Sequence, residues 1–384
     1  MSRNDFCRTH FAGGGGMLPC PWPACPHGHD EEVYLDHRVS WADKKVYKRQ
    51  SFVAGDGSLR YFWISDDQPY GWVVRQPVQS ELFRLSKPNQ STIYHYTSLA
   101  GFKGIIESQD FWLTESDFLN DSTEIEHGID LARQVFQSFC DQNISPIAGI
   151  LEGLTIKDKN PRPRINIACF SSARDNLSQW RAYSGDSVGV SLGFSQQDFL
   201  PQLGYPSECQ LVPVLYAEEH KRALWDTFAR FFTEAYTKDS ARQISVTQRD
   251  GSTREFFPTS GYESSLQGML YQLAASCKHS AFEDEREIRL FYTEHSEIVA
   301  KYGSAPARVR FRPTSCFLAP YTTLSDIREV YKSIRTDRSP RLSLSEVIVG
   351  PHPRSDLAIA SVKKFLQENG YGDIPVCPSS APYR

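Results

Sequence analysis

Four short stretches place chemically capable side chains beside the ends of regular elements. Glu285 and Glu287 open the strand-like stretch Ile288 to Tyr292, apolar except for Arg289. In a strand, residues two apart share a face, so Glu285, Glu287, Arg289 and Phe291 would lie together, with the two carboxylates about 6–7 Å apart. Like charges at that spacing raise one pKa, which suits acid–base work. The plainer reading is a surface strand whose glutamates pair with Arg286 or Arg289. His95, in Ile93-Tyr94-His95-Tyr96-Thr97-Ser98, sits mid-strand and points opposite to both tyrosines; a lone strand histidine is ordinarily just a satisfied side chain. Asp121 and Glu124 fit the N-cap and N3 positions of a capping box. The fourth stretch, Ser171 to Tyr183, is a turn rich in Ser, Asp and Asn. It leads into a short helix carrying Leu177, Trp180 and Tyr183. It reads as a pocket wall or as an ordinary strand–helix–strand connection.

A fifth group lies at the N-terminus. Cys7 and His10 are separated by two residues, and Cys20 and Cys25 by four, with His27 and His29 close behind. Zinc takes thiolate and imidazole ligands in pairs close along the chain, because one short turn can present both. Cys7, His10, Cys20 and Cys25 are therefore the candidate ligands of a structural zinc, with His27 or His29 as substitutes for one of them. The competing reading is a terminus with Cys and His by chance.

These residues need elements to hold them. Ile165–Phe170 is apolar on both parities and reads as a buried strand. Val188, Val190, Leu192 and Phe194 alternate with small residues and read as a strand with one open face. Further strands are expected at 92–96, 111–113, 210–216, 285–292, 307–311, 316–321, 345–350 and 374–377. Helices are expected after Ser98, from Ile125, and over 221–236, 264–277 and 355–369, the last closed by Gly370. Residues 143–164 and 242–258 read as loops. Upstream, 45–53 and 58–64 flank Gly55-Asp56-Gly57 as a hairpin. Residues 1–85 thus form a β-rich module, stapled by the metal if zinc binds, and 79–90 serve as the linker to a larger domain over 91–384.

The whole chain sets bounds. It has 384 residues, enough for two domains, with 40% hydrophobic and 23% charged residues. Net charge is −4, which argues against a protein living mainly on nucleic-acid backbone. No apolar run is long enough to span a membrane, and the N-terminus lacks the apolar core of a secretory signal. Nine cysteines, an odd number mostly scattered singly, suit reduced thiols in a cytoplasm.

Taken in order, IYHYTSLAGFKGIIES, FLNDSTE, IACFSSARDNLSQWRAYSGDSVGVSLGF, FEDEREIRLFY, VIVGPHPRSDL and SSAPYR resemble the bacterial domain of unknown function 2971 family over about residues 91–384. The order of motifs is similar to that of the ADP-ribosyltransferase fold with a His-Tyr-Glu triad. The resemblance implies an α+β fold, a split antiparallel sheet with flanking helices. It implies His95 on the first strand, holding a ribose, and Tyr183, stacking on nicotinamide. Glu287 would be the catalytic carboxylate, with Glu285 its partner. The pocket for NAD, as substrate, would be lined by His95, Tyr96, Thr97, Ser171, Trp180 and Tyr183. Many transferases carry His-Gly-Thr where this chain carries His95-Tyr96-Thr97. A carboxylate beside an oxocarbenium ion stabilises charge that exists only near the transition state. The implied function is transfer of ADP-ribose to a protein or nucleic-acid acceptor, as in a toxin or phage-defence effector. The alternatives are a non-catalytic nucleotide- or partner-binding module on a degenerate transferase fold, and a nucleic-acid binder reading through the N-terminal module.

Overall fold

The strands expected at 92–96, 111–113, 165–170, 187–194, 285–292, 307–311 and 345–350 all join one sheet. The computed structural model describes residues 37–39, 46–53, 59–65, 75–86, 92–119, 123–141, 164–183, 188–195, 209–241, 244–247, 253–256, 262–294, 306–330 and 342–382. The elements, in chain order, begin with β1 (His37–Val39), β2 (Val46–Val53), β3 (Leu59–Ser65), α1 (Arg75–Ser86), β4 (Thr92–Ser98), α2 (Leu99–Ser108), β5 (Trp112–Glu115) and α3 (Thr123–Asp141). There follow β6 (Arg164–Ser171), α4 (Leu177–Tyr183), β7 (Gly189–Ser195), β8 (Cys209–Pro213), α5 (Glu218–Ser240), β9 (Ile244–Thr247), β10 (Thr253–Phe256) and α6 (Tyr262–Ala274). The chain then forms β11 (Glu287–Glu294), β12 (Arg310–Pro313), β13 (Leu318–Thr323), α7 (Leu324–Val330), β14 (Leu344–Val349), α8 (Ser355–Glu368) and β15 (Val376–Pro378). Among the described residues no helix is long and apolar enough to cross a membrane.

The chain divides into two compact units, and the division is not linear. One takes residues 1–87, 126–161 and 217–274; the other takes 88–125, 162–216 and 275–384. The first boundary falls inside the expected linker, but two later segments belong with the N-terminal residues.

In the first unit, β1, β2 and β3 form an antiparallel sheet with Val53 opposite Leu59, which is the expected hairpin. Residues 79–86, read as linker, are instead the end of helix α1. Val78, Leu82 and Leu85 recur at helical spacing and are buried, and Pro77 is tolerated because it lies in the first turn. The expected loop 242–258 contains an antiparallel pair, β9 with β10. An aromatic core lies between α3 and α5, where Phe136 stacks on Phe228 with ring centroids 5.8 Å apart and meets Trp225 edge-on.

The second unit is built on a ten-stranded sheet. Its main path runs β12-β13-β5-β6-β4-β7-β14-β15, with β11 and then β8 branching from β6. All pairs are antiparallel except β14 with β15. The branch arises because β6 is shared. One edge of β6 pairs along its whole length with β11. The other pairs with β5 at Asn166 and Ile167 and with β4 at Ser171. The sheet therefore forks around Ala168–Phe170.

Helices start and stop where the sequence indicates. Ser98 caps α2 by accepting from the Gly101 N–H. Gly370, at φ 74°, ends α8 and lets the Tyr371 N–H reach the Leu366 carbonyl at 2.7 Å. The main apolar core takes Ile93, Phe170, Leu192, Ile288, Leu290 and Val347 from one face of the sheet, with Phe102 and Ile106 of α2 and Val362 and Leu366 of α8 packed on it.

Candidate functional site

Directly opposed residues on neighbouring strands point to the same side of a sheet. Tyr94 is opposite Ser171, Ser171 opposite Glu287, and Cys169 opposite Arg289. These five side chains share one face. His95 is opposite Leu192 and takes the other face with Phe170 and Ile288.

On the first face lies a buried ionic cluster. Glu287 is 6% exposed and Arg289 2%. The Arg289 guanidinium donates from Nε to Oε1 and from Nη2 to Oε2 of Glu287, both at 2.9 Å, a bidentate fork. Its Nη1 donates to the Ala275 carbonyl at 2.7 Å. Lys278 Nζ donates to Glu285 at 2.7 Å and to Glu287 at 3.0 Å. The Glu287 N–H donates to the Tyr216 hydroxyl at 2.9 Å. Two carboxylates and two cations thus form a compact neutral group.

Its electrostatics differ from the acid–base pair expected. Burial pushes the Glu287 carboxyl up, but the Arg289 guanidinium and the Lys278 ammonium outweigh it and hold the pKa at about 2. Glu287 is an anion at neutral pH and supplies no proton there. Burial, reinforced by the Glu287 charge, pushes the neighbouring Cys169 thiol up, so it stays protonated. Burial and then the charges around it also raise the phenols of Tyr183 and Tyr216.

Glu285 does not lie on the strand. Residues 280–285 form a 3-10 turn, and Arg286, at φ 45°, turns the chain before β11 begins at Glu287. Lys278, not strand spacing, brings the two carboxylates together. Arg286 is held by its carbonyl, which accepts from the Ser172 N–H at 2.9 Å.

Tyr183, at the end of α4, is 40% exposed beside this cluster. The half-exposed ring of Phe282 covers Lys278, with Nζ 5.0 Å from its centroid. Of the expected catalytic residues, Glu285, Glu287 and Tyr183 lie together and His95 does not join them. Ser171 is near but committed: its hydroxyl donates to the Glu285 carbonyl at 2.6 Å and accepts from the Ala173 N–H, so it locks a turn instead of facing a ring. Tyr96 and Trp180 are buried against each other, centroids 4.7 Å apart, in an apolar cluster with Tyr94 and Ile348. The Tyr96 hydroxyl donates to the Ala173 carbonyl and accepts from the Asn176 N–H. Thr97 is half-buried against Gly101.

His95 fills the fork in the sheet. Its Nδ1 is 2.9 Å from the Cys169 carbonyl, on the stretch of β6 between its pairings with β5 and β4. The ring meets Phe111 edge-on at 5.4 Å and Phe170 at 5.5 Å. Because a carbonyl only accepts, Nδ1 carries the proton, and burial lowers the pKa so that the ring is neutral. His95→Phe keeps the ring contacts and leaves the Cys169 carbonyl unpaired. Urea unfolding is expected to show a loss of about 1–3 kcal/mol. Unchanged stability would mean that the Cys169 carbonyl does not depend on the imidazole for its partner.

The remaining motif residues hold the turn between β6 and α4. Arg174 grips Glu346 with Nε at 3.0 Å and Nη2 at 2.6 Å, and the Tyr94 hydroxyl donates to the same carboxylate at 2.9 Å. Arg174 holds the Glu346 carboxyl down, while burial and then Glu346 push the Tyr94 phenol up to about 12. Asp175 accepts from Trp180 Nε1 at 2.7 Å, from the hydroxyls of Ser379 and Ser380 at 2.6 and 2.7 Å, and from the Ser380 N–H at 2.6 Å. Sequence reading missed Lys278, Cys169 and Tyr216; only Lys278, a cation shortly before an acidic run, carried a signal.

Cys7, His10, Cys20 and Cys25 lie outside the described residues, as do Asn120–Ser122. Among the described residues no group of three or more His, Cys, Asp or Glu is placed to hold a metal. No curated protein and no solved structure matches the chain. Residues 179–290, which carry Tyr183, Lys278, Glu285, Glu287 and Arg289, match the family described as Protein of unknown function (DUF2971), supporting the resemblance for that stretch.

Proposed function

We propose that the second unit is a nucleotide-binding module, an ADP-ribosyltransferase-like scaffold on which the transfer chemistry is not assembled. What carries this reading is the pair of exposed aromatic rings, Tyr183 and Phe282, placed beside Lys278 and Glu285. Aromatic faces stack on any base or on nicotinamide. Glu285, the more exposed member of the cluster, offers an acceptor to the polar edge of the same ligand, while the buried Lys278 holds that carboxylate in place. The buried Glu287 and Arg289 act beneath them as a fixed floor.

One observation favours the alternative, an NAD-consuming transferase. Glu287 is ionised at every physiological pH, and a fixed anion is what an oxocarbenium ion requires. Against it stand two cations already neutralising that anion and a histidine turned to the other face.

Titration calorimetry with NAD and with ATP, together with chromatographic assay of released nicotinamide, separates the readings. Binding without nicotinamide release is expected. Tyr183→Ala should weaken binding by about 5- to 150-fold, the loss of one stacked ring worth about 1–3 kcal/mol, with unfolding stability unchanged. Nicotinamide release that is abolished by Tyr183→Ala would establish NAD cleavage at this site and overturn the binding-only reading. No binding of either nucleotide at millimolar concentration would sink both.

A further inference from the structure

The far edge of the large sheet carries a second feature, unrelated to the ionic cluster. Among the described strands β12 is the outermost, paired on one side only, with β13. A free strand edge is a template for another chain, and proteins ordinarily blunt it with charges, prolines and few apolar residues. Here Arg308, Arg310, Arg312 and Pro313 fit that habit, but the neighbouring apolar residues do not. Phe311 is 62% exposed and Leu318 61%. Phe317 at the hairpin tip is also exposed, 5.9 Å from the exposed ring of Phe118. The tip is held in shape by Thr314, whose hydroxyl donates to the Phe317 carbonyl at 2.8 Å and accepts from the Cys316 and Phe317 N–H groups.

Register sorts these side chains. Phe311 is opposite Pro320, and Pro313 opposite Leu318, so Phe311 and Leu318 share one face. Arg310 is opposite Tyr321 and Arg312 opposite Ala319, so both arginines take the other face. Arg310 is spoken for by a bidentate pair with Asp326. Arg312 reaches only the Thr114 hydroxyl, at 3.4 Å, and Arg308 has no ion pair or hydrogen bond among the described residues. Arg312 on that face, and the exposed Arg308 just ahead of the strand, thus have no carboxylate partner among the described residues, beside an edge that no described strand covers and whose other face is apolar.

We propose that β12 is a docking edge for an extended acidic peptide of a partner protein, which adds as a further strand. A strand alternates its side chains between faces. The matching segment therefore carries Asp or Glu at every second position, toward Arg308 and Arg312, and apolar residues between them, toward Phe311 and Leu318. Backbone pairing supplies affinity and the alternation supplies selectivity. Single-stranded nucleic acid also satisfies arginines and aromatic rings, but it does not use a strand's backbone edge or its apolar face.

The test pans a random dodecapeptide library against the full chain. It then measures fluorescence anisotropy of the selected peptides and of a labelled dT12 oligonucleotide. Selected peptides are expected to alternate acidic and apolar residues. Arg308→Glu with Arg312→Glu should weaken them at least about ten-fold, since like charges then face each other. Phe311→Ser should also weaken them, and urea unfolding should be unchanged in both proteins. No selection, selection of sequences indifferent to these substitutions, or dT12 binding in preference to every peptide overturns the proposal.

Discussion

Glu287→Gln is expected to lower the stability of the folded protein by about 3–5 kcal/mol, measured by urea unfolding at pH 7. Two cations, Arg289 and Lys278, close on the Glu287 carboxylate in a buried setting. The amide that replaces it carries no charge. Arg289 would then lose the carboxylate of its bidentate fork, and Lys278 would lose one of the two carboxylates it bridges. This is far more than the roughly 1 kcal/mol of an exposed pair. The compensating variant Glu287→Leu with Arg289→Met removes both charges at similar volume. It should recover most of the loss, short of about 1 kcal/mol for the bond to the Ala275 carbonyl. A Glu287→Gln protein as stable as the parent would mean that the cluster is solvated and not the buried fork described above.

This expectation changes how any activity measurement at Glu287 is read. Diminished function after Glu287→Gln follows from local unfolding as readily as from lost transition-state stabilisation. Tyr183 is the cleaner probe. Its ring is partly exposed, none of the cluster's hydrogen bonds described above runs through its hydroxyl, and its removal leaves the ion pairs intact.

Much of the sheet was legible because buried strands alternate or run continuously apolar. The strands around 165–170, 188–194 and 345–350 are found within a residue or two. That His95 points opposite to Tyr94 and Tyr96 was also legible. Which face holds Glu287 was not, because that is set by pairing Ser171 with both Tyr94 and Glu287, contacts 77 and 116 positions apart in sequence. Glu285 was misplaced for a local reason. Period two carries it onto β11, and nothing in the residue type of Arg286 announces a left-handed backbone, which usually draws glycine or asparagine. Helix α1 was hidden by Pro77 and by Ser86-Lys87-Pro88-Asn89-Gln90, which together resemble a linker. The motifs around Arg174, Asp175, Glu346 and Ser379–Ser380 were recognised without their reason. They are partners of one another in a hydrogen-bonded turn, so their joint presence reports how that turn is built more directly than what it binds.

Acid should expose the same cluster from the other side. The Glu287 carboxyl titrates near 2 when folded, against an ordinary value of 4.5. A carboxylate with a depressed folded pKa stabilises the native state fully above its unfolded value. That stability is lost as pH falls through the folded one. The window is therefore about pH 4.5 down to 2, and the gap corresponds to about 3 kcal/mol. Glu346, Asp175 and Asp326 are also held low, by Arg174, by hydrogen bonds from Ser379, Trp180 and Ser380, and by Arg310 with Thr323, so they contribute in the same direction. The Glu287 share is isolated by comparing the parent with Glu287→Leu/Arg289→Met, which keeps those three. Urea unfolding of both from pH 6 to 2.5 should give a steeper fall for the parent, by about 2–3 kcal/mol over the window. The groups facing Glu287 do not reverse the sign: Arg289 and Lys278 stay charged throughout, and Cys169, Tyr183 and Tyr216 stay neutral. Parallel curves for the two proteins would show that Glu287 titrates alike folded and unfolded, which a buried bidentate pair does not permit.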